Sequence, residues 1–382
     1  MMIDYTVLKI IWWVIMGGVL VVYASTAGYD SGVTMIMPFL KSEKNRRIAL
    51  NTSAPTWDGN QTWIVFAGGA MFVVWPVVYS TAFSGMYFAL MFILWSLFLR
   101  PPGYDYRGKL PSHIWRRCWD VALFISSAVP VFLFGVAFGN CLLGFPFHFD
   151  PVTFRDYYTG NFWGLLSGFA ILSGIASLLM ILMHGSAYVA RRTEGELREL
   201  GRKLHAVFAV LLLISFSIAG LLIMYRVNGY HLVSYPKHAT IFPLNNVVTR
   251  GVGVWMDSYK KYPWKYFGPV AAYAGILVSL WANYFRWYAF CFWGSVFAIG
   301  GMIGTIGFTL YPFIMPSATQ PNQSLTVWNS TSSQYALNIM FYVGIILFIV
   351  ILAYKAYTFH TIWYKQKTVT EKDLEENEHT YY

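Results

Sequence analysis

Apolar runs of about twenty residues, parted by short polar loops, recur along this chain from Leu8 to Tyr354. A bilayer core of about 30 Å needs roughly 20 apolar residues in helix, and nine segments meet that length. They fall near Leu8 to Ala27, Thr62 to Tyr79, Ala82 to Leu99, Cys118 to Leu143, Phe162 to Met183, Leu204 to Tyr225, Phe267 to Phe285, Phe290 to Phe313 and Tyr335 to Tyr354. Nothing resembles the ten-residue alternation of a barrel, so helices are the way for these runs to satisfy their backbone in lipid. The pattern predicts an all-α integral membrane protein. It reads as a single polytopic domain over 1–382, with a long extracytoplasmic segment at 227–265 and a cytoplasmic tail at 359–382. Glycine pairs at Gly17-Gly18, Gly68-Gly69 and Gly300-Gly301, with Gly164, Gly168 and Gly174 along the fifth span, suit close helix approach.

Composition supports this reading. At 57% hydrophobic and 12% charged residues, the chain cannot solvate its surface as a soluble domain does. The net charge of +10 does not point to nucleic acid, because the Lys and Arg residues lie in loops between apolar spans. Nineteen of the 27 fall on one side of the spans and eight on the other. That bias puts the N-terminus outside and the C-terminus in the cytoplasm, with Asp58 on the cytoplasmic side. The first span is read as retained, since it exceeds a signal-peptide core and no small-residue cleavage pattern ends it. Cys118, Cys141 and Cys291 stand alone and read as small apolar residues. In the polar tail Thr370 and Asp373 match a helix-start box, and a short solvated helix or disorder is expected there.

No P-loop, HExxH or GxSxG pattern occurs, and no two histidines sit at one depth on facing helices as a two-haem site requires. His184 and His205 lie near predicted span ends, where histidines are ordinarily interfacial rather than ligands. The acids say more. Asp30 falls near the cytoplasmic end of the first span, where a carboxylate needs a partner. Arg100 ends the third span and Asp120 begins the fourth on the same side, so a cluster of Asp30, Arg100 and Asp120 that pins helices together is expected. Asp58 stands within Trp57, Gly59, Asn60 and Gln61, and Asp105 beside Tyr104, Tyr106 and Lys109. Carboxylates in such a polar setting either gather protons from water and relay them or serve as solvated loop charges.

The motifs carry a resemblance. Gly28 to Gly32 (GYDSG), Ala54-Pro55-Thr56 followed by WDGNQTW, Phe66 to Gly69 (FAGG) and Arg100 to Arg107 (RPPGYDYR) come first. Gly135 to Asn140 (GVAFGN), Tyr157 to Phe162 (YYTGNF) and Tyr311 to Ser317 (YPFIMPS) follow in order. Over almost the whole length the chain resembles subunit II of the cytochrome bd family of quinol oxidases. The resemblance implies a bacterial inner-membrane complex that oxidises quinol and reduces oxygen to water. Two b-type haems and one d-type haem would belong to a partner, subunit I, with none ligated by this chain. Nine helices would form two four-helix bundles plus one more. Some protons would enter from the cytoplasm at the positions of Asp58, Asp105 and Lys109, while Asp30, Arg100 and Asp120 would be buried charges of structural role. A small single-helix third subunit and a quinone held in subunit II occur in the family, but no residue pattern here selects either. Ala27-Gly28-Tyr29-Asp30 departs from the family's Asp-Gly-Phe-Asp run, so a role needing two acids loses its first, and Tyr29 offers a hydroxyl instead. A secondary transporter or a purely structural scaffold are the competing classes. The former should show inverted repeats around a midplane site, and none is seen.

Overall fold

The computed structural model describes residues 3–235, 244, 246–365, 368–370 and 373. Among them thirteen α-helices follow in order: α1 (Tyr5–Ile36), α2 (Glu43–Ser53), α3 (Trp57–Val74), α4 (Pro76–Gly85), α5 (Tyr87–Leu97), α6 (Arg100–Tyr106), α7 (His113–Leu143), α8 (Gly168–Arg192), α9 (Gly195–Tyr225), α10 (Val254–Lys261), α11 (Phe267–Tyr284), α12 (Tyr288–Leu310) and α13 (Gln334–His360). Six helices are long and apolar enough to cross a membrane: α1, α7, α8, α9, α12 and α13. A bent pair, α3 with α4, counts as a seventh if it is one span.

The helix class is as the apolar runs predict, but several boundaries differ. The expected span from Thr62 to Tyr79 breaks at Trp75, where α3 and α4 meet at 119°. Pro76 starts α4; it has no N–H to donate to the preceding turn, and its ring collides with it. The expected third span from Ala82 to Leu99 is split as well, since α4 ends at Gly85 and α5 covers 11 residues. The fifth begins at Gly168, not Phe162, because Ser167 caps it by accepting from the Ala170 N–H. The first, fifth and ninth spans run on past their predicted ends to Ile36, Arg192 and His360.

Three antiparallel ribbons, β1 (Phe147–Phe149) with β2 (Asp156–Tyr158), β3 (Asn228–Ser234) with β4 (Val247–Val252), and β5 (Phe313–Met315) with β6 (Leu325–Thr326), follow α7, α9 and α12. They join into one cap at one end of the bundle. The Gln323 side chain donates to Phe149 O (3.1 Å) and accepts from Phe149 N (2.7 Å), and Val248 N donates to Asn322 Oδ1 (2.9 Å). Tyr230 OH donates to Leu143 O (2.9 Å) and fastens the cap to α7. Residues 228–234 and 247–261 of the long segment at 227–265 are thus structured. In the cap's last turn, Lys265 donates to Tyr311 O (3.1 Å), and burial brings its amine down to about 8. The short helices α2 and α6 lie at the opposite end.

The core runs along α1 and α8. A Cβ on Gly32 would lie 2.5 Å from Ile181 O and 2.6 Å from the Cα of Gly185, so the two helix backbones touch where neither residue has a side chain. Of the glycines singled out for such packing, Gly301 meets Ala272 of α11 and Gly174 meets Phe132 of α7. Gly17, Gly18, Gly68, Gly69 and Gly168 face open space in this chain, and Gly164 and Gly300 make only ordinary contacts. The tail is less solvated than expected. Val369 is buried with its N–H on Arg192 O (2.9 Å), and Thr368 donates to Glu194 (2.8 Å). Asp373 accepts from the Thr370 N–H (2.8 Å) and hydroxyl (2.7 Å), the helix-start pattern anticipated there. Residues 374–382 lie outside the described residues.

Candidate functional site

Two polar clusters occupy the end of the bundle that carries α2 and α6. The inner one is built on Asp30, fully buried in α1. Its Oδ2 accepts from Asn60 Nδ2 at 2.6 Å and its Oδ1 from the Thr56 hydroxyl at 3.3 Å. Thr56 precedes α3 by one residue and Asn60 lies four further on, so both face α1 while Asp58 points away. Tyr29 OH donates to Thr56 Oγ1 (2.9 Å) and accepts from Asn60 Nδ2 (3.0 Å), and its ring stacks on Tyr188 at 4.1 Å. Asn60 Oδ1 accepts from Lys355 Nζ of α13 at 2.7 Å. Every polar atom of the Asn60 side chain is engaged.

The outer cluster is built on Asp120, fully buried near the start of α7. Arg107 Nε donates to its Oδ1 at 2.6 Å and Arg46 Nη1 to its Oδ2 at 3.2 Å. Glu43, at the start of α2, holds Arg107 (3.0 Å), Arg116 (3.8 Å) and Arg46 (3.9 Å). Three arginines and two carboxylates thus bind α2, the end of α6 and α7 together.

These contacts correct the expected grouping of Asp30, Arg100 and Asp120. Arg100 is buried between the two clusters, and its Nη2 donates to Ser31 Oγ (3.0 Å), Ser127 Oγ (2.8 Å) and Ser126 O (3.3 Å). Among the described residues it forms no ion pair with either acid, and its Nε and Nη1 find no acceptor. It stays within electrostatic reach of Asp30. Arg107, seven residues on and so on the same helical face, takes the place at Asp120 that the sequence suggested for Arg100.

Asp58, Asp105 and Lys109 are exposed at this same end. Trp57 stacks on Tyr104 with centroids 4.9 Å apart and planes 6° apart, which ties the start of α3 to α6 and brings both acid-bearing motifs together. Tyr104 OH shares a 3.0 Å hydrogen bond with Ser53 Oγ, and burial pushes its phenol up, so it stays protonated. Gln61 turns its amide into the protein, where neither atom has a partner among the described residues. Gly59 leaves room for Lys355, since a Cβ there would sit 3.2 Å from Nζ.

The chain matches the family model described as cytochrome bd terminal oxidase subunit II over residues 8–362. The chain belongs to that family. It is 42% identical over 383 residues to the cytochrome bd-I ubiquinol oxidase subunit 2 of Escherichia coli (strain K12), with all of both chains covered. It is 39% identical to the probable cytochrome oxidase subunit 2 of Haemophilus influenzae, again over the full length of both. A solved bd oxidase from Geobacillus thermodenitrificans superposes with a TM-score of 0.68, covering 92% of this chain and 98% of that one at 15% identity, which shows the fold. The protein is therefore an integral membrane subunit of a respiratory terminal oxidase.

Members of this family work in a haem-containing complex, so the two span histidines are the residues to test for ligation. Both are buried rather than interfacial, which corrects the sequence reading. His184 faces Ser25 O with Nε2 (2.8 Å) and Ser295 Oγ with Nδ1 (2.7 Å). His205 faces Met183 O with Nδ1 (3.0 Å) and Ser279 Oγ with Nε2 (2.9 Å). A ring nitrogen on a carbonyl must carry the proton, and the other is taken by a serine, so neither offers a lone pair to iron. No group of three or more metal-binding side chains occurs among the described residues. These two histidines do not fit a haem. The residue that the sequence analysis passed over is Lys355. Its signal was a lone lysine in an otherwise apolar helical run.

Proposed function

We propose that this chain is the haem-free half of a bacterial quinol oxidase and supplies the complex with protons from the cytoplasm. In this reading it packs against a haem-bearing subunit I in the inner membrane, with nine helices arranged as two four-helix bundles and one more, the N-terminus periplasmic and the C-terminus cytoplasmic. The bent α3–α4 pair, α11 and the stretch containing α5 with its flanking residues would supply the helices beyond the six clear spans. Quinol is oxidised and oxygen reduced on subunit I. The E. coli relative's name as a ubiquinol oxidase supports the substrate.

One observation carries the proton reading: exposed Asp58 and buried Asn60 share the first turn of α3, and Asn60 leads directly to buried Asp30. Oxygen reduction consumes protons, and a carboxylate in water beside a buried hydrogen-bonded network is a fit collector. Asp105 near the end of α6 and Lys109 in the loop after it would share that role. Asp30, Arg100 and Asp120 would hold the helices that frame it, with Asp30 also standing at the inner end of the route.

Asp58→Asn tests this. Oxygen consumption of the purified complex is expected to fall about tenfold, below the usual range for loss of an acid–base group because Asp105 is nearby, with haem content unchanged. Full turnover would remove Asp58 from the route. Lost haem would instead make it a structural residue.

A further inference from the structure

We infer that Lys355 is a positioning residue of the proton-uptake route, coupling surface Asp58 to the buried Asn60–Asp30 pair through its fixed ammonium. The inference rests on the uptake reading above and adds a residue to it.

A lysine five residues before a helix end ordinarily extends to water and leaves its stem against lipid or protein. Lys355 does the opposite. It is buried, and its Nζ donates to Asn60 Oδ1 at 2.7 Å in the gap that Gly59 leaves open. The ammonium has only protons to donate, so the Asn60 amide beside it can point just one way. Its oxygen faces Lys355 and its nitrogen faces Asp30. Asn60 is thus a polarised spacer between the ammonium and the buried Asp30 carboxyl, and its orientation depends on Lys355 staying in place.

An amide is a poor proton carrier, whereas the Thr56 and Tyr29 hydroxyls around Asp30 can pass a proton on. Lys355 therefore acts on the route through charge and geometry. The carboxylates within electrostatic reach of its ammonium are Asp58 on α3 and Asp30 on α1. Beyond Asp30 stand Arg100 and Tyr104 on α6, Tyr29 on α1 and Tyr188 on α8. On α13 itself the nearest titratable neighbours in sequence are Tyr354, Tyr357 and His360. A fixed positive charge beside this pathway repels a resting proton, so one gathered from water is passed on rather than kept.

The test uses the intact complex with its haem subunit and follows oxygen consumption against pH. With Lys355→Met, that repulsion is lost. The alkaline limb should move up by about one unit and turnover at neutral pH should fall several-fold. Lys355→Arg keeps the charge and should restore the limb to within a few tenths of a unit. A lysine that only fastened α13 would change the amount of complex without moving the limb. An unmoved limb in Lys355→Met, with Asp58→Asn still lowering turnover, overturns the Lys355 assignment alone. Full turnover in Asp58→Asn overturns the uptake reading beneath it. Should Lys355→Met not assemble, Gly59→Leu keeps the lysine but fills the space beside Nζ. It should move the limb the same way by less, and an unmoved limb there also overturns the assignment.

Discussion

Asp120→Ala is expected to reduce the assembled complex to a small fraction of the parent level. Asp120 is fully buried, and its two oxygens take Arg107 at 2.6 Å and Arg46 at 3.2 Å. Removing the carboxylate leaves two guanidinium groups facing one another with only Glu43 between them and water. Breaking a buried pair from one side costs about 3–5 kcal/mol, a large part of the stability of any domain. Glu43→Gln should cost far less, about 1 kcal/mol or under, because that carboxyl is about one-third exposed and its pairs are screened. Haem absorbance per milligram of membrane protein, with the melting temperature of the purified complex, reads both effects. An Asp120→Ala complex at parental level and melting temperature would show that the cluster does not hold α2, α6 and α7 together. Arg107→Ala exposes the same buried carboxylate and should approach the Asp120→Ala loss.

Gly32→Leu should be as damaging for a different reason. A Cβ at position 32 would meet Ile181 O at 2.5 Å and the Cα of Gly185 at 2.6 Å, and both obstacles are backbone. Neither can rotate aside. Even Gly32→Ala forces α1 and α8 apart, at about 1–3 kcal/mol, and leucine adds a branched side chain that has no space to enter. Asp30 lies two residues earlier on the same helix, so a shifted α1 also moves that carboxylate against Asn60 and Thr56. Gly32→Ala complexes should therefore lose oxygen consumption per haem as well as yield. Gly18→Ala, on the same helix but with nothing within 4 Å, serves as the control and should be tolerated. Equal yield and equal turnover for Gly32→Ala and Gly18→Ala would refute the close α1–α8 contact.

The two motifs that carry Asp58, Asp105 and Lys109 stood out in the sequence before the fold, and all three side chains are exposed. Trp57 and Tyr104 stood out only as members of two separate motifs, and their stacking is what makes those motifs neighbours. His184 was misjudged because hydropathy stops a span where its helix turns polar, although the helix itself goes on. α8 runs nine residues past the boundary drawn at Met183, enough to carry His184 inside.

By itself the sequence determined the membrane class, the mostly helical architecture and the family, but not the three ribbons of the cap. Each is carried by quantities that survive projection onto a line: apolar run length, the sidedness of Lys and Arg, and the order of short motifs. The tertiary structure alone decided which charge meets which. Asp120 pairs with Arg107 rather than Arg100, and Lys355 turns inward to Asn60, because partner choice depends on the depth and rotation of each helix. It also decided where helices break, at Trp75-Pro76 and at Met86, and which glycines touch a backbone. Hydropathy sums over a window, so it cannot register a 119° bend or tell an inward lysine from one that reaches for water.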